Sequence, residues 1–232
     1  MSLNVNDIYQ RTKLVLGNES VEKLKQSKVC ICGIGGVGSY VMEALARIGI
    51  GNITVIDKDK VDITNINRQI IATVGNVDKP KVICAKERIN EINPDIKVEG
   101  IESFIDEENI KKYIDSSYDY VIDAIDTINS KVSLIKHCYQ NNIKIISCMG
   151  MGNKLNPLDI KVSDIYKTNV CPLTKIMRKR LKEESIKKLK VVYSEEIPIK
   201  NIEGILGSVS FVPSVAGLII ASEVVKDITK ED

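Results

Sequence analysis

Short apolar runs alternate along this chain with stretches in which apolar residues recur every three or four positions. Residues 28–32 (Lys-Val-Cys-Ile-Cys) form a β-rich run that stops at glycine, as a parallel strand buried on both faces does. Residues 37–48 carry apolar side chains at helical spacing and end at Gly49, a C-cap signal. Residues 52–56 read as a second strand, closing a strand–helix–strand unit with Asp57 at its carboxyl end. The spacing predicts a helix over 81–92, stopped by Asn93-Pro94, because the residue before proline disfavours helix. A strand over 96–101 follows, then strand, helix and strand at 118–122, 130–139 and 143–148.

After Gly150-Met151-Gly152-Asn153 the pattern changes. A strand is expected at 159–162, and Pro172 suits the first turn of a basic helix. A strand at 190–193, a polar connector at 194–204 read as mobile, and an apolar helix at 213–225 complete the chain. The alternation predicts an α/β fold, a doubly wound, mostly parallel, Rossmann-like sheet with additional C-terminal strands and helices on the same sheet. With no internal repeat or linker, one domain is expected: N-terminal helices at 1–27, a core at 28–150 and an extension at 151–232.

Composition narrows the setting. The 232 residues are 44% hydrophobic and 28% charged, enough to bury a sizeable core. No apolar run reaches the roughly 18 residues of a membrane span, and no signal-peptide core opens the chain. A cytoplasmic protein without membrane contact is expected, its six cysteines (30, 32, 84, 138, 148 and 171) reduced. The net charge of +2 is uneven: residues 175–190 hold eight Lys or Arg against two acids, a local +6 that leaves −4 for the rest. Two readings stand for that segment, a solvated amphipathic helix and an electrostatic footprint for nucleic acid.

Chemistry enters with the run Gly33-Ile34-Gly35-Gly36-Val37-Gly38-Ser39. Glycines let a backbone turn tightly, approach phosphates and aim N–H groups at them from a helix N-terminus. Asp57 is placed to accept hydrogen bonds from ribose hydroxyls. These features mark an adenine nucleotide without separating NAD from ATP. Asn65, Asp59, Arg68 and Lys81 follow, and a substituted triphosphate accumulates charge that guanidinium and ammonium groups stabilise. Val121-Ile122-Asp123-Ala124-Ile125-Asp126 ends a strand with two carboxylates at the same sheet edge. One suits Mg²⁺; for Asp123 a capping role stands beside a functional one. His137 is the only histidine, which excludes multi-histidine zinc sites and reads as packing or surface.

Residues 33–39, Asp57, residues 65–69 (Asn-Ile-Asn-Arg-Gln), Lys81 and Asp126 resemble the nucleotide site of the ubiquitin-activating-enzyme-like superfamily. That superfamily includes the bacterial adenylating enzymes of molybdopterin and thiamine synthesis. The later segments are similar, more narrowly, to the tRNA threonylcarbamoyladenosine dehydratase family. They are residues 121–126, 150–153 with Asn156-Pro157, 167–178, Gly207-Ser208 and Phe211-Val212-Pro213. The resemblance implies ATP-dependent cyclisation of threonylcarbamoyladenosine in tRNA through a carboxyl adenylate, with Arg68, Lys81, Asp126 and Arg11 catalytic. It implies nucleotide contacts at Gly33, Gly35, Gly36, Gly38, Asp57, Asp59 and Asn65, with Asp126 positioning Mg²⁺. It implies a homodimer in which Arg11 reaches the partner's ATP, and tRNA held on the basic segment, Lys175, Arg178, Lys179 and Arg180.

Two departures bear on that reading. The molybdopterin and thiamine relatives carry paired Cys-x-x-Cys motifs for zinc; this chain has none, so no zinc is expected and Cys30 and Cys32 read as core packing. Cys171, ahead of Pro172, is the one candidate for a thioester-forming thiol, against a capping or packing role. The alternatives are adenylation of a small sulfur-carrier protein's C-terminal carboxylate, NAD-dependent oxidoreduction and a silent nucleotide sensor. A sulfurtransferase or carrier-protein partner belongs to the first. Oxidoreduction leaves Arg11, Arg68 and Lys81 idle and lacks an evident hydride-transfer acid.

Overall fold

In the computed structural model, which describes residues 8–200 and 206–230, strand β1 (Lys28–Cys32) is buried on both faces because its side chains alternate. Val29 and Ile31 enter one apolar cluster with Met42 and Leu45, while Cys30 and Cys32 enter another with Leu134 and Cys138. The cysteines of the strand are therefore core residues, and burial pushes the Cys32 thiol well above its ordinary value.

Around β1 the chain builds strands β2 (Asn52–Ile56), β3 (Lys97–Ile101), β4 (Tyr120–Asp123), β5 (Ile145–Cys148), β6 (Ile160–Asp164) and β7 (Lys190–Ser194). The helices are α1 (Gln10–Gln26), α2 (Gly38–Ile48), α3 (Lys81–Ile92), the single turn α4 (Ile110–Tyr113), α5 (Ile128–Gln140), α6 (Pro172–Glu183) and α7 (Phe211–Thr229). The sheet order is β3-β2-β1-β4-β5-β7-β6, parallel throughout except for the β6–β7 pair. Helices α2, α3 and α7 pack on one face and α5 and α6 on the other, the doubly wound arrangement expected, with the C-terminal strands extending the same sheet.

Boundaries moved where tertiary partners intervened. Strand β6 runs two residues past its expected end, pairing Asp164 with Lys190. Helix α7 begins before Pro213, whose missing N–H costs nothing in a first turn. It continues past Val225 because Asp227 is held by the Tyr120 hydroxyl and the Lys190 ammonium. The connector expected to be mobile is tied down over its described part. Glu195 N–H donates to the Asp159 carbonyl, Ile199 N–H to the Asn153 carbonyl, and the Glu196 carboxylate receives Leu155 and Asn156 N–H; residues 201–205 of that expectation lie outside the described residues. Helix α1 breaks at Gly17, and its second half docks through Val21 and Leu24. His137 is buried, its Nε2 2.7 Å from the Ile114 carbonyl oxygen.

One buried ion pair joins the strand ends. Lys131 on α5 and Asp123 at the end of β4 are both wholly inaccessible, with Nζ and Oδ2 2.9 Å apart. The ammonium also donates to the carbonyls of Ile125 (3.0 Å) and Cys148 (2.8 Å), and Asp123 accepts from Ser147 Oγ and Ile125 N–H. Removing one partner of such a pair leaves a naked charge in the core, at a cost of about 3–5 kcal/mol. Lys131→Met is expected to lose that much unfolding stability in urea denaturation, and the double variant Lys131→Met/Asp123→Leu distinctly less.

Candidate active site

Register in the sheet assembles the site. Cys32 lies opposite Ile56 on β2 and Asp123 on β4, so Gly33, Asp57 and Ala124 leave three adjacent strands side by side. This is where strand order reverses, and open α/β sheets bind ligands in the crevice outside such carboxyl ends. Gly33 turns the chain with φ +89°; a Cβ there would lie 2.7 Å from the Ala124 carbonyl oxygen, and one on Gly38 1.8 Å from that of Gly33. Only glycine allows both approaches. The loop so formed delivers the N-terminus of α2, with its dipole, into a cavity of about 660 Å³, within the ordinary range for small-molecule sites.

Asp57 anchors the loop. Its Oδ2 accepts from Ile34 N–H at 2.6 Å and its Oδ1 from Asp59 N–H at 2.8 Å. The nearly buried Lys81 ammonium, at the first turn of α3, lies 3.4 Å from Asp59 and 4.0 Å from Asp57. The crossover between β2 and α3 is closed on itself by Val61 N–H to the Lys79 carbonyl and Asp78 N–H to the Val61 carbonyl, which fixes Lys81 over the cavity. Asn65 accepts Asp62 N–H on its Oδ1 at 3.2 Å, which fixes the orientation of its side-chain amide. Arg68 donates from Nη1 to the Thr64 carbonyl and to Asn67 Oδ1, both at 2.8 Å.

Gly33, Gly35, Gly36, Asp57, Asp59 and Asn65 all line the cavity, as do Arg68, Lys81 and Asp126. Gly38 lies just behind the loop and sets its shape. Arg11 sits exposed on the first half of α1, outside the cavity lining. Lys175 and Lys179 are exposed on α6, whereas Arg178 docks that helix through Nη1 to the Thr168 carbonyl (2.8 Å), and Arg180 meets Asn129 and Glu183. None of these four basic residues lines the cavity. Of the two carboxylates ending β4, Asp126 is exposed at the cavity edge and Asp123 belongs to the buried pair, its backbone-accepting role among those expected.

The cavity has a second arm, beyond β5, lined by Met149, Met151, Cys171, Leu173 and Leu206 with Lys154 among them. Cys171 N-caps α6 and is buried, and burial lifts the neighbouring Cys148 thiol to about 12, the Lys131 ammonium opposing. Two buried side-chain atoms lack any hydrogen-bond partner among the described residues, Gln69 Oε1 and Ser130 Oγ, and both residues line this cavity. An orphaned buried polar atom costs about 1–3 kcal/mol, and the two found among the described residues both border this one cavity. Gln69 closes the run 65–69 that the resemblance placed in the nucleotide site, without a role of its own, whereas Ser130 and Lys154 were not picked out as site residues from the sequence; for Lys154, a lysine among Met, Gly and Leu is the one signal it offered. Among the described residues no group of three or more His, Cys, Asp or Glu is disposed to hold a metal, and no helix is long and apolar enough to cross a membrane.

A glycine loop at the switch point of a doubly wound sheet, facing Arg68 and Lys81, defines a nucleotide-binding Rossmann-like protein of the kind that does chemistry on phosphates. The ThiF family model matches residues 9–232, and the chain belongs to the ThiF family. It is 43% identical to the tRNA threonylcarbamoyladenosine dehydratase of Bacillus subtilis, over 96% of this chain and 95% of that protein. Its backbone follows that of the Escherichia coli tRNA N6-threonylcarbamoyladenosine dehydratase solved with ATP, at TM-score 0.91 and 36% identity, covering 96% and 94% of the two chains. The AMP complex of the same enzyme gives TM-score 0.92 at 35% identity, with the same coverage.

Asp57→Ala would free Ile34 N–H and Asp59 N–H together and remove the more distant of Lys81's two carboxylate neighbours, leaving Asp59. Hydrogen bonds to a charged group contribute about 1.5–3 kcal/mol each, and urea denaturation is expected to show a loss of at least that size.

Proposed function

We propose that this protein is an ATP-dependent tRNA threonylcarbamoyladenosine dehydratase that works through a carboxyl adenylate. The observation that carries the reading is one continuous cavity in which the glycine loop at the N-terminus of α2, Arg68 and Lys81 share a lining with apolar residues around Lys154. Its relatives of nearly full length act on that substrate by name, and one is solved with ATP and with AMP.

ATP lies on the loop of residues 33–38, with Asp57 toward the ribose. The threonyl carboxylate attacks the α-phosphorus; the bond from that phosphorus to the bridging oxygen breaks, and pyrophosphate leaves. Arg68, Lys81 and Asn65 offset the charge that develops on the transferring group, and holding both reactants in one cavity removes most of the entropic barrier. Arg68 leaves its resting partners, Thr64 and Asn67, to do so. The substrate's carbamoyl group then attacks the acyl carbon, loses a proton and expels AMP, closing the ring. Asp126, an exposed carboxylate beside the cavity, is the oxygen donor suited to Mg²⁺, which supplies charge neutralisation to bound phosphates. A homodimer brings Arg11 to the partner's nucleotide, and Lys175 and Lys179 offer the tRNA backbone a basic face.

The test is pyrophosphate release with Mg–ATP, comparing tRNA bearing threonylcarbamoyladenosine with tRNA lacking it. Release with the modified tRNA alone, and a fall of about a hundredfold in kcat in Arg68→Ala, is expected. Release with neither tRNA overturns the assignment, and release on adding a small carrier protein instead transfers it to carrier adenylation. Lysines that neutralise backbone phosphates strengthen nucleic-acid binding in a salt-dependent way. Lys175→Glu/Lys179→Glu is therefore expected to raise the KM for tRNA with the KM for ATP unchanged. Cys171→Ala is expected to keep turnover, since neither step needs a thiol.

A further inference from the structure

Three lysines of the described chain are nearly or wholly buried: Lys81 at 5%, Lys131 at 0% and Lys154 at 3% relative exposure. Two of them have carboxylate partners, Lys81 beside Asp57 and Asp59 and Lys131 against Asp123. Lys154 has none. Its ammonium makes one hydrogen bond, to the Ser194 carbonyl oxygen at 3.1 Å, although an ammonium carries three donors. The Cys171 and Cys148 thiols and the Glu196 and Asp159 carboxylates act on it only from a distance, and the Glu196 carboxylate is engaged by the N–H groups of Leu155 and Asn156. A buried charge without a partner is costly, and burial accordingly draws the Lys154 ammonium's pKa down.

The side chain has little freedom to escape to solvent. On one side of Lys154, Asn153 exchanges backbone hydrogen bonds with Gly207 and Ile199; on the other, Glu196 clasps Leu155 and Asn156. Lys154 thus forms part of the wall of the cavity arm shared with Met151, Cys171, Leu173 and Leu206, its ammonium held at the Ser194 carbonyl. That arm lies across β4 and β5 from the glycine loop, where the nucleotide's phosphates belong, so the missing anion comes from the second substrate.

We infer that Lys154 recognises the free carboxylate of the substrate, holding through ring closure the oxygen that does not attack phosphorus. This rests on the dehydratase reading above and adds a residue to it. In the first step one carboxylate oxygen forms the bond to phosphorus while its partner oxygen stays on Lys154. In the second, the carbamoyl group attacks the acyl carbon, the carbonyl electron pair moves onto that same oxygen, and the oxyanion formed meets the ammonium already in place. The pair returns as the C–O bond to AMP breaks, and the carbamoyl proton passes to solvent. One cation in an apolar arm serves both steps.

The experiment measures binding and reaction separately. Protein loaded with an ATP analogue carrying a methylene between α- and β-phosphorus is titrated, by fluorescence anisotropy, with modified tRNA and with the same tRNA methyl-esterified at the threonyl carboxylate. The wild type is expected to prefer the free carboxylate at least tenfold, and Lys154→Met to lose that preference while binding the analogue within twofold of wild type. Pyrophosphate release in Lys154→Met is expected to fall a hundredfold or more, with partial recovery in Lys154→Arg. Lys154→Gln, which keeps a donor for Ser194, guards against a variant that merely misfolds and is expected to behave like Lys154→Met. A preference for carboxylate that survives in Lys154→Met and Lys154→Gln overturns the inference, as does its absence from the wild type. Loss of analogue affinity in both variants also overturns it, by making the lysine a support for β7. Carboxylate preference without pyrophosphate release in the wild type would sink the dehydratase reading and leave Lys154 as the carboxylate site.

Discussion

The buried pair between Lys131 and Asp123 is the constraint on which the site's geometry depends. A parallel sheet is rigid along its hydrogen-bonded ladder, but its strand ends, where ligands bind, are free to splay. Here a single ammonium, reaching from α5, gathers the Asp123 carboxylate and the carbonyls of Ile125 and Cys148, and so ties the ends of β4 and β5 to one another. In a wholly buried setting the pair gains strength from low dielectric only because all three ammonium protons and both carboxylate oxygens are hydrogen-bonded. Ser147 and the Ile125 N–H complete that set. Both the glycine loop, which touches Ala124, and the second arm of the cavity, which begins at Cys148, take their positions from this knot.

Electrostatics then divides the cavity. At the glycine loop, helix dipole and cations are balanced by Asp57 and Asp59, so Lys81 is held ready but not unpaired. At the other end the surroundings are apolar and Lys154 lacks a counter-charge. A pocket with a balanced cation at one end and, among the described residues, an unbalanced one at the other suits a reaction between a nucleoside triphosphate and a carboxylate. The orphaned polar atoms of Gln69 and Ser130 lie in the lining between the same walls. These are features of a site built for occupants larger than one nucleotide.

Much of the fold was legible in the chain because parallel strands need continuous apolar runs and their crossover helices need a 3.6-residue period. The two periods cannot be confused over segments such as 28–48. What local pattern misplaced were ends: β6 and α7 each extend further because Asp164 and Asp227 find partners from elsewhere in the chain. The glycine-loop end of the cavity was readable too, since glycine at the turn and cations after it leave a mark in sequence order. The end around Lys154 was not. A lysine in a loop reads as solvated, and its small and apolar neighbours at 150–155 do not say that Glu196 and Ser194, some forty positions on, lie over it.

By itself, then, the sequence determined the layers of the sheet, the glycine loop with Asp57, and the membership of Asn65, Arg68 and Lys81 in one site, because those depend on periodicity and on short-range geometry. Only the tertiary structure decided which charges are paired and which are not. Asp123 became the counter-ion of a buried lysine, Arg178 became a clamp for its own helix, and Lys154 was left facing a cavity. Burial and pairing are properties of neighbours brought together across dozens of residues, and the free energy of a charge is set by those neighbours, not by its place in the chain.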